Sequence, residues 1–421
     1  MQSRQAFFRF FLIFTAFVLG LALFVALSRT LPPRHVPGAP VAQLDNVRDF
    51  APARLADGPA YAVDGGRLMV GQPRPEGTRW EELPLPEGVI AASVDFVPAT
   101  ADRAEVIYVG AANELVVYRT TDRGQTWSRN RLTHPVVHGD LTGSVTDLAV
   151  DPVQRLVYAG TDTAGLFRLR EAGDQLLRSA QLMLGEPVLQ VVVDRRGSGL
   201  ALVRTRWRLY RATNFGLRWE RVDTFGSAPT MVAIAQRVPA VALVGTVDRG
   251  VLQSADAVTW TPTNLGLSVA PATRLYVDAL AVDPLQPAVV YAAVSYLYGP
   301  SSAHHTPTRL AVSRNGGLIW TDLAHADLTS RVAELLPQGG QVYALTLTSR
   351  TPVEVGPEMA AAMAAPSSSL PATAQTGATW LAWFVAGFAA MTLGFALSVD
   401  LLQRRRTPSP VLAAQPIRRD R

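Results

Sequence analysis

The stretch YRTTDRGQTW, residues 118–127, sets a hydroxyl, a carboxylate, a glycine, a second hydroxyl and an indole at Thr120, Asp122, Gly124, Thr126 and Trp127. That spacing suits a catalytic loop, a metal loop or an architectural turn. Its recurrence chooses among them. SRNGGLIW (313–320) repeats it through Ser313, Asn315, Gly317 and Trp320, and ATNFGLRW (212–219) does so more loosely through Asn214, Gly216 and Trp219. SADAVTW (254–260) keeps Ser254, Asp256 and Trp260 but lacks the glycine. A single catalytic centre has no use for four copies of its acid. A hairpin does: an Asp or Asn oxygen caps the turn backbone, Gly takes φ > 0, and Trp buries its ring against a neighbouring unit.

A longer phrase surrounds the turn. It reads ASVDFVPATADRAEVIYVGAANELVVYRTTDRGQTW over 92–127 and LAVDPVQRLVYAGTDTAGLFRL over 148–169. Further copies run over 191–219, over 232–260 and from Leu280 to Trp320. Each has an apolar strand ending near an acid, a short turn, a VYAG-like strand, an alternating strand and a closing Trp. Asp95, Asp151 and Asp194 mark the first three copies at spacings of 56 and 43 residues. Short strands with turn signals at such a period predict an all-β propeller. The closing residues Trp80, Trp127, Trp219, Trp260 and Trp320, a Trp-less unit between the second and third, and one more beginning at 331–350 give seven blades, with six as the alternative. Strands from residues 41–57 are expected to complete the last blade.

Thr120–Trp127 resembles the Asp-box, or BNR repeat, of sialidase-like propellers, and the VDP…VYAGT…GLF phrase is similar to the same superfamily over about residues 55–350. That superfamily includes sialidases, xyloglucanases, sortilin-type receptors and photosystem II assembly and stability factors. The resemblance implies a fold and says little about activity, because one superfold hosts many functions. A sialidase would imply three axial arginines, a Tyr–Glu pair and an acid, preceded by a Phe-Arg-Ile-Pro segment that is missing here. The xyloglucanases imply two propellers with a catalytic Asp pair between them, and this sequence has repeats for one.

Composition narrows the rest. The chain has 421 residues, no cysteine and no lysine, so its 39 cationic side chains are all Arg. Disulfides, thiol nucleophiles and cysteine-ligated zinc are excluded. Residues 50–350 balance 28 Arg against 28 acids, and the net +5 resides in the flanks. Nucleic-acid binding needs the charge on the binding domain, so none is expected.

The flanks are apolar as well as basic. Phe10–Leu27 is 18 uncharged residues, the length of a spanning helix, and a cleaved signal peptide is the alternative. Trp380–Val399 is 20 more, entered by Trp380 and Trp383 and followed by QRRR. Positive flanks stay cytoplasmic, so both termini are expected inside the cell membrane and the body on its extracytoplasmic side. The implied order is a cytoplasmic start (1–9), a span (10–27), a linker (28–49), the propeller (50–350), an Ala/Pro/Ser-rich tether (351–378), a span (379–402) and a basic tail (403–421). In the second span Ala382, Ala386, Ala390, Gly394 and Ser398 form a stripe of small residues suited to helix packing.

Candidate chemistry is sparse. His134, His138 and Asp140 have a metal-like spacing, but beside Pro135 and Gly139 they read as a solvated loop, and no metal or cofactor is expected. His304 and His305 fall in the insertion YLYGPSSAHHTPT. RTRWRLYR places Arg204, Arg206 and Arg208 on one face of a strand, either as a solvated face or as an anion-binding patch for a partner. Leu370–Ala374, LPATA, resembles a sortase signal with Ala374 for Gly, and reads better as linker. These features predict a non-catalytic binding scaffold, receptor or assembly factor with a protein partner, held in membrane lipid. The alternative is a sialidase-like hydrolase acting on an extracellular glycan.

Overall fold

The structure, a computed structural model, describes residues 44–74, 77–132, 142–222, 226–267, 273–299, 304–323 and 330–355. The described residues form seven antiparallel sheets, each of strands consecutive in the chain, and contain no helix. The fold is a seven-bladed β-propeller. The two apolar spans with their stripe, His134, His138 and Asp140, and Leu370–Ala374 lie outside the described residues.

The first strand of each blade lies innermost: Val47–Ala51, Ala91–Val97, Val145–Asp151, Gln190–Val193, Pro229–Ala235, Arg274–Val282 and Val332–Gln338. Second strands such as Val106–Ala111, Leu156–Thr161 and Val241–Thr246 are buried along their whole length. Sandwiched between neighbouring blades, they read as unbroken apolar runs, whereas outer strands such as Gln175–Leu182 are largely exposed. The glycine of each VYAG-like phrase has a packing reason. A Cβ on Gly110, Gly160 or Gly245 would fall 2.5, 2.4 or 2.6 Å from Val145, Val188 or Val277 of the next blade.

Each closing Trp packs on the blade before its own. Trp320 is 2 % exposed and its Nε1 donates to Thr263 O at 2.7 Å. Trp127 is half-buried and donates to Pro84 O at 3.0 Å. Trp219 meets Tyr158 edge-on at 6.0 Å, and Trp260 lies half-buried beside Leu202 and Val222. Trp80 joins Leu336, Tyr343 and Leu345, so the first blade seals against the last.

That seal differs from the expectation for residues 41–57. Val47–Ala51 is the inner strand of the first blade, and the last blade has three strands among the described residues. Asp64 Oδ1 accepts the N–H groups of Asp45 and Asn46 at 3.0 and 2.6 Å, which fixes the first strand to its own sheet. The ring then closes through single bonds: Val47 N to Arg350 O at 3.2 Å, Ala53 N to Gln338 Oε1 at 3.1 Å and Thr351 Oγ1 to Asp45 O at 3.1 Å.

Candidate functional site: the axial channel and its mouth

All seven inner strands begin at one end of the propeller, the mouth. The hairpins joining second to third strands lie there too. The turns carrying Asp122, Asn214, Asp256 and Asn315 join third to fourth strands, so antiparallel pairing puts them at the opposite end, the box end. Six inner strands shift register near their start, at Val47/Asp49, Ala91/Ser93, Val145/Asp147, Pro229/Met231, Val277/Ala279 and Val332/Glu334. A bulge of this kind inserts one residue and re-aims the side chains after it. Asp49, Asp147, Met231 and Glu334 then line an axial cavity of about 570 Å³, a size that suits a ligand.

Most of the channel acids hold backbone. Asp49 accepts Phe50 N at 2.8 Å on one oxygen and Val94 N of the next blade at 2.7 Å on the other. Asp147 does the same with Leu148 N at 2.8 Å and Val191 N at 2.5 Å. Gln190 bonds both N and O of Val232, each at 3.0 Å. Deeper in, Asp95 accepts Phe96 N at 2.7 Å and Val150 N at 2.8 Å, and takes Arg54 and Arg195 as ion partners at 3.3 and 2.7 Å. These side chains tie one inner strand to the next where edge N–H groups would otherwise lack acceptors.

Glu334 is different. It corresponds in position to Asp49 and Asp147 but, among the described residues, pairs only with Arg350, at 3.6 Å. Burial within the channel walls pushes its carboxyl up to about 7, with Asp49 adding to the rise and Arg350 opposing it. Burial also raises Asp49 to about 6 and Asp147 well above the usual range. The channel is open to water, with the Glu334 side chain 29 % exposed, which moderates the rise. The cavity wall also carries Arg48, Arg204 and Arg350, from three blades. Arg204 bonds Gln190 Oε1 at 3.3 Å and is lowered to about 10 by burial, partly offset by Asp147.

The expected single-faced strand of Arg204, Arg206 and Arg208 is a hairpin instead. Ala201–Arg204 ends before Thr205, whose Oγ1 donates to Arg208 O at 3.2 Å and accepts Arg208 N at 3.1 Å. Thr161, Thr246 and Thr346 form the same hydroxyl turn in other blades. Arg204 therefore enters the channel. Arg206 lies 4.9 Å over the ring of Trp207, itself 62 % exposed on the rim, and Arg208 pairs with Glu186 at 3.1 Å. Arg331, at the start of the seventh blade, donates through Nη1 to His305 Nε2 of the sixth at 3.2 Å, which leaves Nδ1–H for Ser295 Oγ at 3.2 Å. Arg331 Nε also holds Asp278 at 2.6 Å, so the insertion is pinned to the seventh blade.

At the box end, Asp122 accepts Thr120 Oγ1, Thr126 N and Thr126 Oγ1 at 2.7, 2.9 and 2.6 Å, while Gly124 has φ 87°. These donors hold its carboxyl down at about 2. Asn315 accepts Ser313 Oγ and Ile319 N at 2.8 and 2.9 Å, with Gly317 at φ 90°. Asp256 accepts Ser254 Oγ, Val258 N and Thr259 N, each at 2.8 Å. In the looser copy Asn214 has φ 51°, Gly216 has φ 75°, and Trp219 Nε1 donates to Gly216 O at 3.1 Å. None of these side chains lines the axial cavity.

Glycoside hydrolysis needs two carboxyl groups free to face a substrate, and two of the three acids at the mouth are occupied by backbone. Among the described residues no cluster of three His, Asp or Glu could hold a metal. Sequence reading marks Asp95 only as a repeat position and passes over Asp49, Asp147, Gln190 and Glu334; the available signal is a polar residue breaking an apolar inner strand, as in VTDLAV.

No family model and no curated protein matches the chain. Solved structures do. A GH74 xyloglucanase from Xanthomonas campestris aligns with TM-score 0.50 at 20 % identity over 72 % of this chain, which spans about half (51 %) of that enzyme. YCF48 bound to D1 peptide aligns with TM-score 0.52 at 14 % identity, over 78 % of this chain and 94 % of that one. A chain of the mitotic checkpoint complex aligns with TM-score 0.51 at 11 % identity, over 77 % and 94 %. At such identities they share the fold.

Proposed function

We propose that the protein is a membrane-anchored, extracytoplasmic propeller that binds a polypeptide partner at its mouth, as a scaffold, receptor or assembly factor. One observation carries the reading. Asp49 and Asp147 are bound to backbone N–H groups, so the mouth offers a guanidinium-lined opening and an exposed Trp207–Arg206 rim with no free acid pair. Exposed aromatic and Arg side chains are the usual anchors of protein interfaces. The peptide held by YCF48, a propeller of the same fold, supports a partner of that class. The turns at Asp122, Asn214, Asp256 and Asn315 are then architectural.

The test is capture from detergent-solubilised membranes with the full chain, comparing wild type with the Arg206→Ala/Trp207→Ala double variant. A polypeptide retained by wild type and lost from the variant is the expected result. Identical capture by both would refute the mouth as the binding end. A glycan hydrolase is the second reading because Glu334 holds no backbone N–H, is raised to about 7 and shares its cavity with Arg48, Arg204 and Arg350. Sugar release by the purified chain, abolished by Glu334→Gln, would favour it.

A further inference from the structure

The box end is not uniform around the ring. In the first and second blades its turns carry Asp57, Asp102, Glu105 and Asp122, with Arg103 and Arg123 paired to Glu171 and Glu105. From the third blade to the sixth the character reverses. Val153, Phe215, Leu217, Val238, Leu318 and Ile319 are all exposed at turn tips, Val238 to 78 %. Arg155, Arg196, Arg218 and Arg314 stand exposed among them. The acids of these turns are occupied: Asp151, Asp194 and Asp283 are buried and accept turn N–H groups, Asp256 holds its own hairpin, and Asp174, exposed on the third blade, pairs with Arg119 of the second at 3.3 Å. The tips are contiguous. A Cβ on Gly197 would meet Val153 at 2.7 Å, one on Gly199 would meet Phe215 at 2.8 Å, and one on Gly316 would meet Arg237 at 2.9 Å.

We propose that this sector of the box end docks on an anionic lipid surface. Apolar tips interspersed with Arg, and no free acid among them, are what a headgroup layer accepts: the tips enter the acyl boundary and the guanidinium groups meet phosphates. The tips protrude from turns on four blades, whereas a peptide would need a groove. One end of the chain also leads from this face, while the other enters at the mouth through Val47. Val355 N bonds Val342 O at 2.9 Å, beside the Gln338–Gln341 turn, so the chain leaves the described residues at the box end. Residues 356–379 then separate it from the apolar run Trp380–Val399. The inference rests on the membrane-anchored reading for that last step, and on the surface itself for the rest.

The test uses the full chain reconstituted into vesicles of phosphatidylglycerol or of phosphatidylcholine. The chain has no native cysteine, so single dyes can be placed by Val238→Cys at the box end and Leu347→Cys at the mouth. Lipid-borne quenchers are expected to quench the dye at 238 several-fold more than that at 347, in phosphatidylglycerol only. Each Arg near an anionic surface is worth roughly five-fold in partition, so Arg155→Gln/Arg218→Gln/Arg314→Gln should cut docking by roughly 100-fold. Equal quenching at both positions in a chain that floats with vesicles would overturn docking and leave the anchor standing. A chain that does not float would overturn both. Shielding of the 238 dye by poly-glutamate but not by lipid would overturn it in favour of an acidic protein partner.

Discussion

Replacing Glu334 by Gln should stabilise the propeller at pH 8 and have only about a quarter of that effect at pH 5. In the unfolded chain this carboxyl titrates near its ordinary 4.5, and in the channel near 7. Between those values the folded state binds the extra proton, so its contribution is fully present below about 4.5 and is lost as pH rises through 7. One pKa unit corresponds to about 1.36 kcal/mol, which sets a ceiling of about 3 kcal/mol at pH 8. Channel water reaches the side chain and reduces this to about 1–2 kcal/mol. Gln keeps the shape and removes the charge. Thermal unfolding of the full chain in detergent, followed by tryptophan fluorescence at both pH values, should show a gain of about 3 °C at pH 8. Asp49 adds to the rise of Glu334, so relief of that repulsion is part of the expected gain. A variant less stable than wild type at pH 8 would refute the reasoning, because it would mean the Glu334–Arg350 pair outweighs the cost of burying the charge.

Trp320→Ala should destabilise the fold by about 3–5 kcal/mol as a fully buried large-to-small change, and Trp127→Ala by clearly less because its ring is half-buried; equal shifts in denaturant midpoint would contradict the assignment of the two rings. A cysteine at position 411 should resist an impermeant maleimide in intact cells while one at position 65, in an exposed turn of the first blade, reacts; labelling at 411 would overturn the orientation.

The blade count was legible because the repeated residues each answer a packing demand of the ring. The VYAG glycine lets the next inner strand approach, and the closing Trp covers the preceding blade. Where the chain closes on itself was not legible. Residues 41–57 have strand composition that serves equally in the first or the last sheet. What decides is Asp64, whose carboxylate collects the N–H groups of Asp45 and Asn46, a contact with no counterpart in the repeat. The span of RTRWRLYR failed for a related reason. Alternation of Arg with Thr, Trp and Leu fits a strand, yet the buried Thr205 hydroxyl ends it after Arg204.

The channel was the least legible part, because a bulge shifts every following side chain by one place and composition does not mark it. Asp95 looked equivalent to Asp151 and Asp194 by its distance along the chain. The register shows otherwise: Asp151 and Asp194 cap the turn leaving the inner strand, while Asp95 stands two positions earlier and faces the channel. The same register explains why Glu334 holds no backbone N–H. Asp49, Asp147 and Gln190 each reach one N–H on the next inner strand, at Val94, Val191 and Val232. The corresponding N–H for Glu334 is that of Phe50, and Asp49 already accepts it at 2.8 Å. With its backbone partner taken, Glu334 has no strand to hold. An acid on a propeller axis signals binding or chemistry only when the neighbouring strand has left its oxygens free.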